Sequence, residues 1–396
     1  MTRATDRLSF LYAALFFELG VNLPYFPLWL HAQALKGDAI GIILAAPLIA
    51  RIVANPIAAA YADKAGRTAT TLVACALCVV VGTAFLLIAD GFLPILLLVI
   101  AIGLAQGPLI ALTDAVTLGA LKAQPQAELR YGRIRLWGSA SFALANIGAG
   151  WMLDWLPVSS VILLLLVASI LTALAAAQVS RMPESRRKPL TNALVGPQEH
   201  PWILIFTIAG AALVQASHAA VYAFSALHWQ SSGFSGGLIG WLWAIGIVSE
   251  IAFFSMIGLI VFGRRGAAML LACGAALATM RWLGMALDPG VALLVGLQMI
   301  HGITFGATHL GSIFLLAKLA PREMHAQVQA WLAAVWAGLM AVLTALSGQL
   351  YDTWNEHVYY LMAAASGTGL LLLLLVAIRL RKDSPDGIAL SAPIGS

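Results

Sequence analysis

Apolar residues run through the chain in twelve long stretches, each ended by a turn signal or a charge: 8–30, 38–61, 68–89, 92–120, 134–154, 158–179, 202–229, 237–262, 266–287, 290–317, 324–350 and 357–380. A membrane-spanning helix needs about 20 mostly apolar residues, so each stretch predicts one. The longest polar run, 180–201, carries Arg181, Glu184, Arg186, Arg187, Lys188, Pro189 and Pro197 and divides the stretches six and six. The pattern therefore predicts an all-α membrane protein of twelve transmembrane helices in two pseudo-symmetric bundles. Residues 1–179 form the first bundle, 180–201 a cytoplasmic linker, and 202–396 the second bundle with a short cytoplasmic tail.

The two halves repeat each other. Gly41 to Arg51 and Gly240 to Glu250 are both ten-residue intervals, each opened by Ile-Gly and run through an apolar helix to a charge. The same offset of 199 sets Asp63-Lys64-Ala65-Gly66-Arg67 beside Phe262-Gly263-Arg264-Arg265-Gly266. Related halves around a polar midplane are the architecture of a secondary transporter. An enzyme embedded in the membrane would instead gather its catalytic groups in one half, without repeat symmetry.

Composition and charge sharpen the picture. Hydrophobic residues make up 61% and charged residues 10% of the chain, against roughly 25% charged in soluble domains. With the N-terminus inside, nineteen of the 22 Lys and Arg fall in cytoplasmic loops or tails; Lys36 lies outside, and Arg51 and Arg281 lie within helices. This positive-inside bias puts both termini in the cytoplasm and accounts for the net charge of +5 without nucleic acid. The first stretch is longer than a signal peptide and carries Glu18, so it is expected to remain as a span. Cys75 and Cys78 sit in an apolar helix with no second pair and no adjacent His, which reads as packing rather than metal or redox chemistry.

Ionisable side chains are costly inside a membrane, so each is a functional candidate. There are five: Glu18, Arg51, Asp114, Glu250 and Arg281. Three acids against two bases leave one acid over, and a carboxyl without a cation in low dielectric can hold a proton near neutrality. Glu250, Asp114 and Glu18 are therefore the candidates for proton coupling, with Arg51 as a charge-pairing residue; the alternative is that all five merely tie helices together. Polar residues at helical spacing extend these charges in the first, fourth, seventh and tenth stretches. They include Asn22 and Tyr25, then Gln106, Thr113 and Thr117, then Gln215, His218 and Tyr222, then Gln298, His301 and His309. Such stripes must face a cavity or another helix, because lipid satisfies no hydrogen bond. Trp241, Trp243, Trp282, Trp331 and Trp336 either join the interfacial belt or form an aromatic wall near Arg281, which could meet a carboxylate. No Lys is followed by Ser or Thr, so there is no Walker A loop and no ATP motor. The histidines lack H-E-x-x-H spacing, which disfavours zinc hydrolysis.

Asp63-Lys64-x-Gly66-Arg67 resembles the loop signature of the major facilitator superfamily, with Ala59 replacing its leading Gly and Thr68 its final basic residue. Tyr131-Gly132-Arg133-Ile134-Arg135-Leu136-Trp137-Gly138-Ser139 resembles the hallmark of the branch that holds oligosaccharide–proton symporters, nucleoside–proton symporters and bacterial 3-phenylpropionate transporters. Gln215 to Ser225, Gly240-Trp241-Leu242-Trp243 and Met280-Arg281-Trp282 resemble the phenylpropionate group in particular. The resemblance implies that Glu250 and Arg281 bind or couple in the second half and that Asp63, Arg67 and Arg135 act at a cytoplasmic gate.

The expectation is thus a secondary active transporter of the bacterial inner membrane, not an enzyme. It would import a small aromatic carboxylate such as 3-phenylpropionate with protons by alternating access, as a monomer, without cofactor, metal, ATP or nucleic acid. Substrate contacts are expected from Arg281, Asn22, Tyr25, Gln215, His218, Tyr222, Trp243, Gln298, His301 and His309. A nucleoside or sugar symporter, or an efflux carrier of a hydrophobic compound, is the alternative.

Overall fold

A computed structural model describes residues 3–122, 126–182, 201–257, 260–261, 263–321, 324–383 and 389–390. Most of the expected linker, together with Phe262 of the second loop copy, lies outside the described residues. Fifteen α-helices occur among those described. In the first half they are α1 (Arg3–Ala32), α2 (Gly37–Ala65), α3 (Thr68–Leu86), α4 (Phe92–Gln106), α5 (Leu109–Leu121), α6 (Ala127–Leu153) and α7 (Ser160–Val179). The second half holds α8 (Pro201–Ala216), α9 (Ala219–Ser231), α10 (Gly236–Ile257), α11 (Arg264–Met285), α12 (Val291–Met299), α13 (His301–Leu319), α14 (His325–Trp354) and α15 (Tyr359–Asp383). Ile260–Val261 and Ala389–Leu390 form a two-residue antiparallel pairing.

Fifteen helices make twelve spans because three spans are broken. Between α4 and α5 the break falls at Gly107-Pro108, where Pro supplies no N–H to continue the ladder. Ser217-His218 separates α8 from α9, and Ile300 separates α12 from α13. These are the fourth, seventh and tenth spans, three of the four that carry polar stripes. The first span, α1, carries Pro24 and Pro27 inside it. Non-helical backbone at membrane depth is tolerated only where other groups satisfy it, so the breaks and the polar side chains belong together.

The chain forms two compact units. One comprises 1–190, 221–244 and 344–352; the other comprises 191–220, 245–343 and 353–396. In the first unit Leu8, Leu11 and Leu15 of α1, Leu72, Ala76 and Val79 of α3, Leu109 and Leu112 of α5, and Ala175, Ala176 and Val179 of α7 build one buried core. The second unit has a matching core of Ala211 and Val214 (α8), Leu271, Ala275 and Ala278 (α11), Leu315 (α13) and Leu373 and Val376 (α15). Many large apolar side chains face outward, as Ile49, Val53 and Ile57 do on α2 and Leu77, Val81 and Phe85 on α3. That is the surface a lipid solvent requires.

The repeat seen in the sequence recurs as close glycine contacts inside the first unit. A Cβ on Gly41 would lie 2.8 Å from the Cα of Gly348, and one on Gly240 would strike the carbonyl of Asn146 and come within 2.8 Å of the Tyr25 hydroxyl. One turn earlier in each helix, an aspartate accepts backbone N–H groups. Asp352 takes Gly37 N–H at 3.1 and 3.0 Å, and Asp154 takes Gly236 and Gly237 N–H at 2.6 and 3.0 Å. A carboxylate suits the positive end of a helix dipole and its unsatisfied donors.

Candidate functional site

Each unit encloses a polar cluster. In the first, three helices converge on a neutral amide. Gln106, at the C-terminus of α4, donates at 2.8 Å to Glu18 Oε1 on α1. Its own carbonyl accepts Arg51 Nη2 from α2 at 3.1 Å. Acid and base are therefore bridged through an amide, and Glu18 is 3% exposed. Among the described residues, the second carboxylate oxygen and the Arg51 Nε find no hydrogen-bond partner, so the network has capacity left over. The Gly107-Pro108 break places the amide here, and a Cβ on Gly107 would meet the Arg51 side chain and the Asn55 amide oxygen, at 2.5 and 2.8 Å.

Further along α1, Asp114 of α5 accepts a short hydrogen bond from the Tyr12 hydroxyl and another from Tyr131 of α6 at 3.1 Å. Arg135 lies over the ring of Phe16, 4.5 Å from its centroid, and 5.7 Å from that of Tyr12. The aromatic face holds the guanidinium through its quadrupole. Asp63 and Arg67, at the end of α2, are exposed.

The second unit holds the richer cluster. Arg281 on α11 is 1% exposed. It donates from Nε to the carbonyl of Leu297 at 2.8 Å, from Nη2 to Gln298 Oε1, and from Nη1 to His301 Nδ1 at 3.1 Å. Two of these acceptors exist in this form because of the break at Ile300: it frees the last carbonyls of α12 and turns His301 inward at the start of α13. A guanidinium only donates, so Nδ1 of His301 accepts and the neutral ring carries its proton on Nε2. That nitrogen lies 3.9 Å from Glu250 Oε2 on α10, whose side chain is 21% exposed. Arg281, His301 and Glu250 thus form a line from a buried cation to a partly exposed carboxyl.

Rings enclose this line. Arg281 lies 4.5 Å from the ring centroid of Trp282; Trp282 stacks on Tyr359 and donates to Ser217 Oγ at 2.8 Å. His218 meets Trp282, His301 and Phe305 edge-on, with centroids 5.0, 5.3 and 5.8 Å away. Gln215 reaches the Phe305 carbonyl at 3.5 Å. Exposed His309 stacks on Phe305. Ser249 fixes the register of Glu250: its hydroxyl accepts the Gly302 N–H at 2.9 Å, and a Cβ on Gly302 would strike the Ser249 carbonyl.

The remaining candidates fall elsewhere. Tyr25 is fully buried and donates to the Asn146 carbonyl at 2.6 Å, which makes it a packing contact beside Gly150 and Gly240. Asn22 is half-buried. Tyr222 and Trp243 sit together, rings 5.9 Å apart, in the first unit. Of the five tryptophans considered for an aromatic wall, Trp243 and Trp282 are buried, whereas Trp241, Trp331 and Trp336 are exposed. Tyr12, Ser217, Ser249, Asp154 and Asp352 were not among the sequence candidates. Their roles depend on partners 65 or more residues away for all but Ser249, whose partner Gly302 is 53 away.

Comparison with known proteins agrees with this architecture. The MFS_1 like family matches residues 6–362. The chain is 28% identical over 366 residues to the "Probable 3-phenylpropionic acid transporter" of Escherichia coli (strain K12), covering 91% of this chain and 95% of that one. It is 27% identical over 380 residues to the maltose permease of Geobacillus stearothermophilus, covering 93% and 94%. Among solved structures, a crystal structure of a mutant of the nucleoside transporter NupG superposes with a TM-score of 0.78 at 16% identity, covering 95% of this chain and 99% of that one. Twelve apolar spans, a repeat in two halves and buried ionisable clusters are the anatomy of a carrier and not of an enzyme, and the chain belongs to the MFS_1 like family of major facilitator secondary transporters.

Proposed function

We propose that this transporter imports a small aromatic carboxylate, such as 3-phenylpropionate, together with a proton across the bacterial inner membrane. The observation that carries the reading is the line Arg281–His301–Glu250 set among the rings of His218, Trp282 and Phe305. A carboxylate would replace a neutral acceptor on the guanidinium with a charged one, and charge-assisted hydrogen bonds are roughly twice as strong. The rings offer a surface for an aromatic body. Similarity to a probable 3-phenylpropionic acid transporter supports the same substrate class.

Coupling follows from charge. An ionised Glu250 repels an incoming carboxylate at close range, and a protonated one does not, so proton and substrate enter together. His301, with its Nε2 proton aimed at Glu250, transmits that change to Arg281. Glu18 and Asp114 are the further protonation candidates, and Asp63, Arg67 and Arg135 act at the cytoplasmic end. Residues 1–179 and 202–396 serve as the two moving bodies, with the linker and both termini cytoplasmic.

The test is uptake of radiolabelled 3-phenylpropionate into proteoliposomes with and without an inward proton gradient, alongside Glu250→Gln. Gradient-driven accumulation that the variant loses while it keeps counterflow exchange is the expected result. No uptake under either condition would remove the substrate assignment. A sugar or nucleoside is the second reading, favoured by similarity to the maltose permease; a neutral substrate would survive Arg281→Gln, which a carboxylate would not.

A further inference from the structure

In the first unit, near the N-terminal ends of α1 and α6, the two helices line a cavity of about 520 Å³ whose walls include Thr5, Ser9, Leu129, Arg130, Arg133 and Trp137. Its chemistry is divided along one wall. Arg130 and Arg133 lie one turn apart on α6, and Thr5 and Ser9 one turn apart on α1, so cations and hydroxyls line the same cavity. Leu129 and Trp137 are 51% and 53% exposed at its mouth, in a chain whose outer faces are built for lipid. Ser9 is 7% exposed, and its hydroxyl has no hydrogen-bond partner among the described residues. A buried hydroxyl without a partner costs free energy, so a ligand oxygen in this cavity would remove a penalty already present. The groove also lies outside the two clusters described above.

We propose that this cavity binds the headgroup of an anionic phospholipid. The phosphodiester meets Arg130, Arg133 and the Ser9 hydroxyl, and the acyl chains leave along Leu129 and Trp137. Basic pockets between spans on the cytoplasmic side are suited to such headgroups, and a tryptophan at headgroup depth is where its amphipathic ring is most stable. A soluble phosphate would satisfy the arginines but would leave the exposed Leu129 and Trp137 without a partner, which favours a lipid as the occupant. The proposal stands independently of the substrate; only the leaflet depends on the charge-based orientation.

The experiment is native mass spectrometry of the full chain in detergent, titrated separately with phosphatidylglycerol, phosphatidylcholine and glycerol phosphate. Phosphatidylglycerol should be retained in preference to phosphatidylcholine. Each of Arg130→Gln and Arg133→Gln should weaken its retention about five-fold, the effect expected of one cation near an anionic headgroup. Ser9→Ala leaves the charge untouched and should weaken retention as well. Arg264→Gln with Arg265→Gln, a basic pair elsewhere at a helix start, should retain lipid as the unaltered chain does. Equal retention of both lipids, retention unaffected in the Arg130 and Arg133 variants, or glycerol phosphate binding as tightly as phosphatidylglycerol would each overturn the assignment.

Discussion

Neutralising the two capping aspartates tests whether they hold the glycine contacts together. Asp154 accepts two N–H groups at the start of α10 and Asp352 one at the start of α2. In the paired Asp154→Asn and Asp352→Asn chain each cap keeps one carbonyl acceptor but loses its charge. A charge at a helix N-terminus contributes about 0.3–1 kcal/mol where exposed. Both aspartates are exposed, so solvent screening keeps them in that range and the pair should lose about 0.6–2 kcal/mol. At about 1.4 kcal/mol per decade, separation of the glycine contacts becomes roughly 3- to 30-fold more populated. Thr344, whose carbonyl lies 2.9 Å from a Cβ built on Gly41, is 4% exposed and closes with that contact. In a background lacking Cys75, Cys78 and Cys273, a Thr344→Cys thiol should react with a membrane-impermeant maleimide roughly 3- to 30-fold faster in the doubly neutralised chain. A rate equal to that of the parent would refute the reasoning. So would equal acceleration by Asp90→Asn, an exposed acid at a helix start.

Other consequences are more local. Gln106→Leu removes the amide that joins Glu18 to Arg51; with two charge-assisted bonds gone, thermal unfolding in detergent should show a loss of about 3–6 kcal/mol. Gly302→Ala places a methyl against the Ser249 backbone, whereas nothing lies within 4 Å of a Cβ on Gly296. The first should lose transport and about 1–3 kcal/mol, and Gly296→Ala should match the parent in both assays. Trp282→Phe keeps the ring stack but leaves Ser217 Oγ without the indole donor; a loss of about 1 kcal/mol is expected in the same unfolding assay.

The identity of the polar residues was legible in the sequence, but their pairing was not. Glu18, Arg51 and Gln106 stand out as costly inside an apolar chain, yet nothing in their spacing says that Gln106 is inserted between the two charges. That depends on where α4 stops, and on α1 and α2 bringing side chains 88 and 55 residues away to the same amide. The breaks at Ser217-His218 and Ile300 carry no proline or glycine to announce them. They are held by tertiary bonds, Trp282 to Ser217 and Arg281 to the Leu297 carbonyl, so local signals missed them. Tyr25 shows the converse: a polar side chain on the striped face of α1 that packing turned to a backbone carbonyl.

Span number, the two-half repeat and the transporter class follow from the sequence alone, because a lipid solvent imposes length and apolarity on every span and leaves few exceptions. The offset that pairs Gly41 with Gly240 was also visible as a pattern. What it meant was decided in three dimensions, where each glycine admits another backbone and each helix start one turn earlier receives an aspartate from a distant segment. Burial energy is carried by many similar residues and survives as a statistical pattern along the chain. A hydrogen bond across helices depends on single atoms within about 3 Å of each other, and only the folded arrangement brings those atoms together.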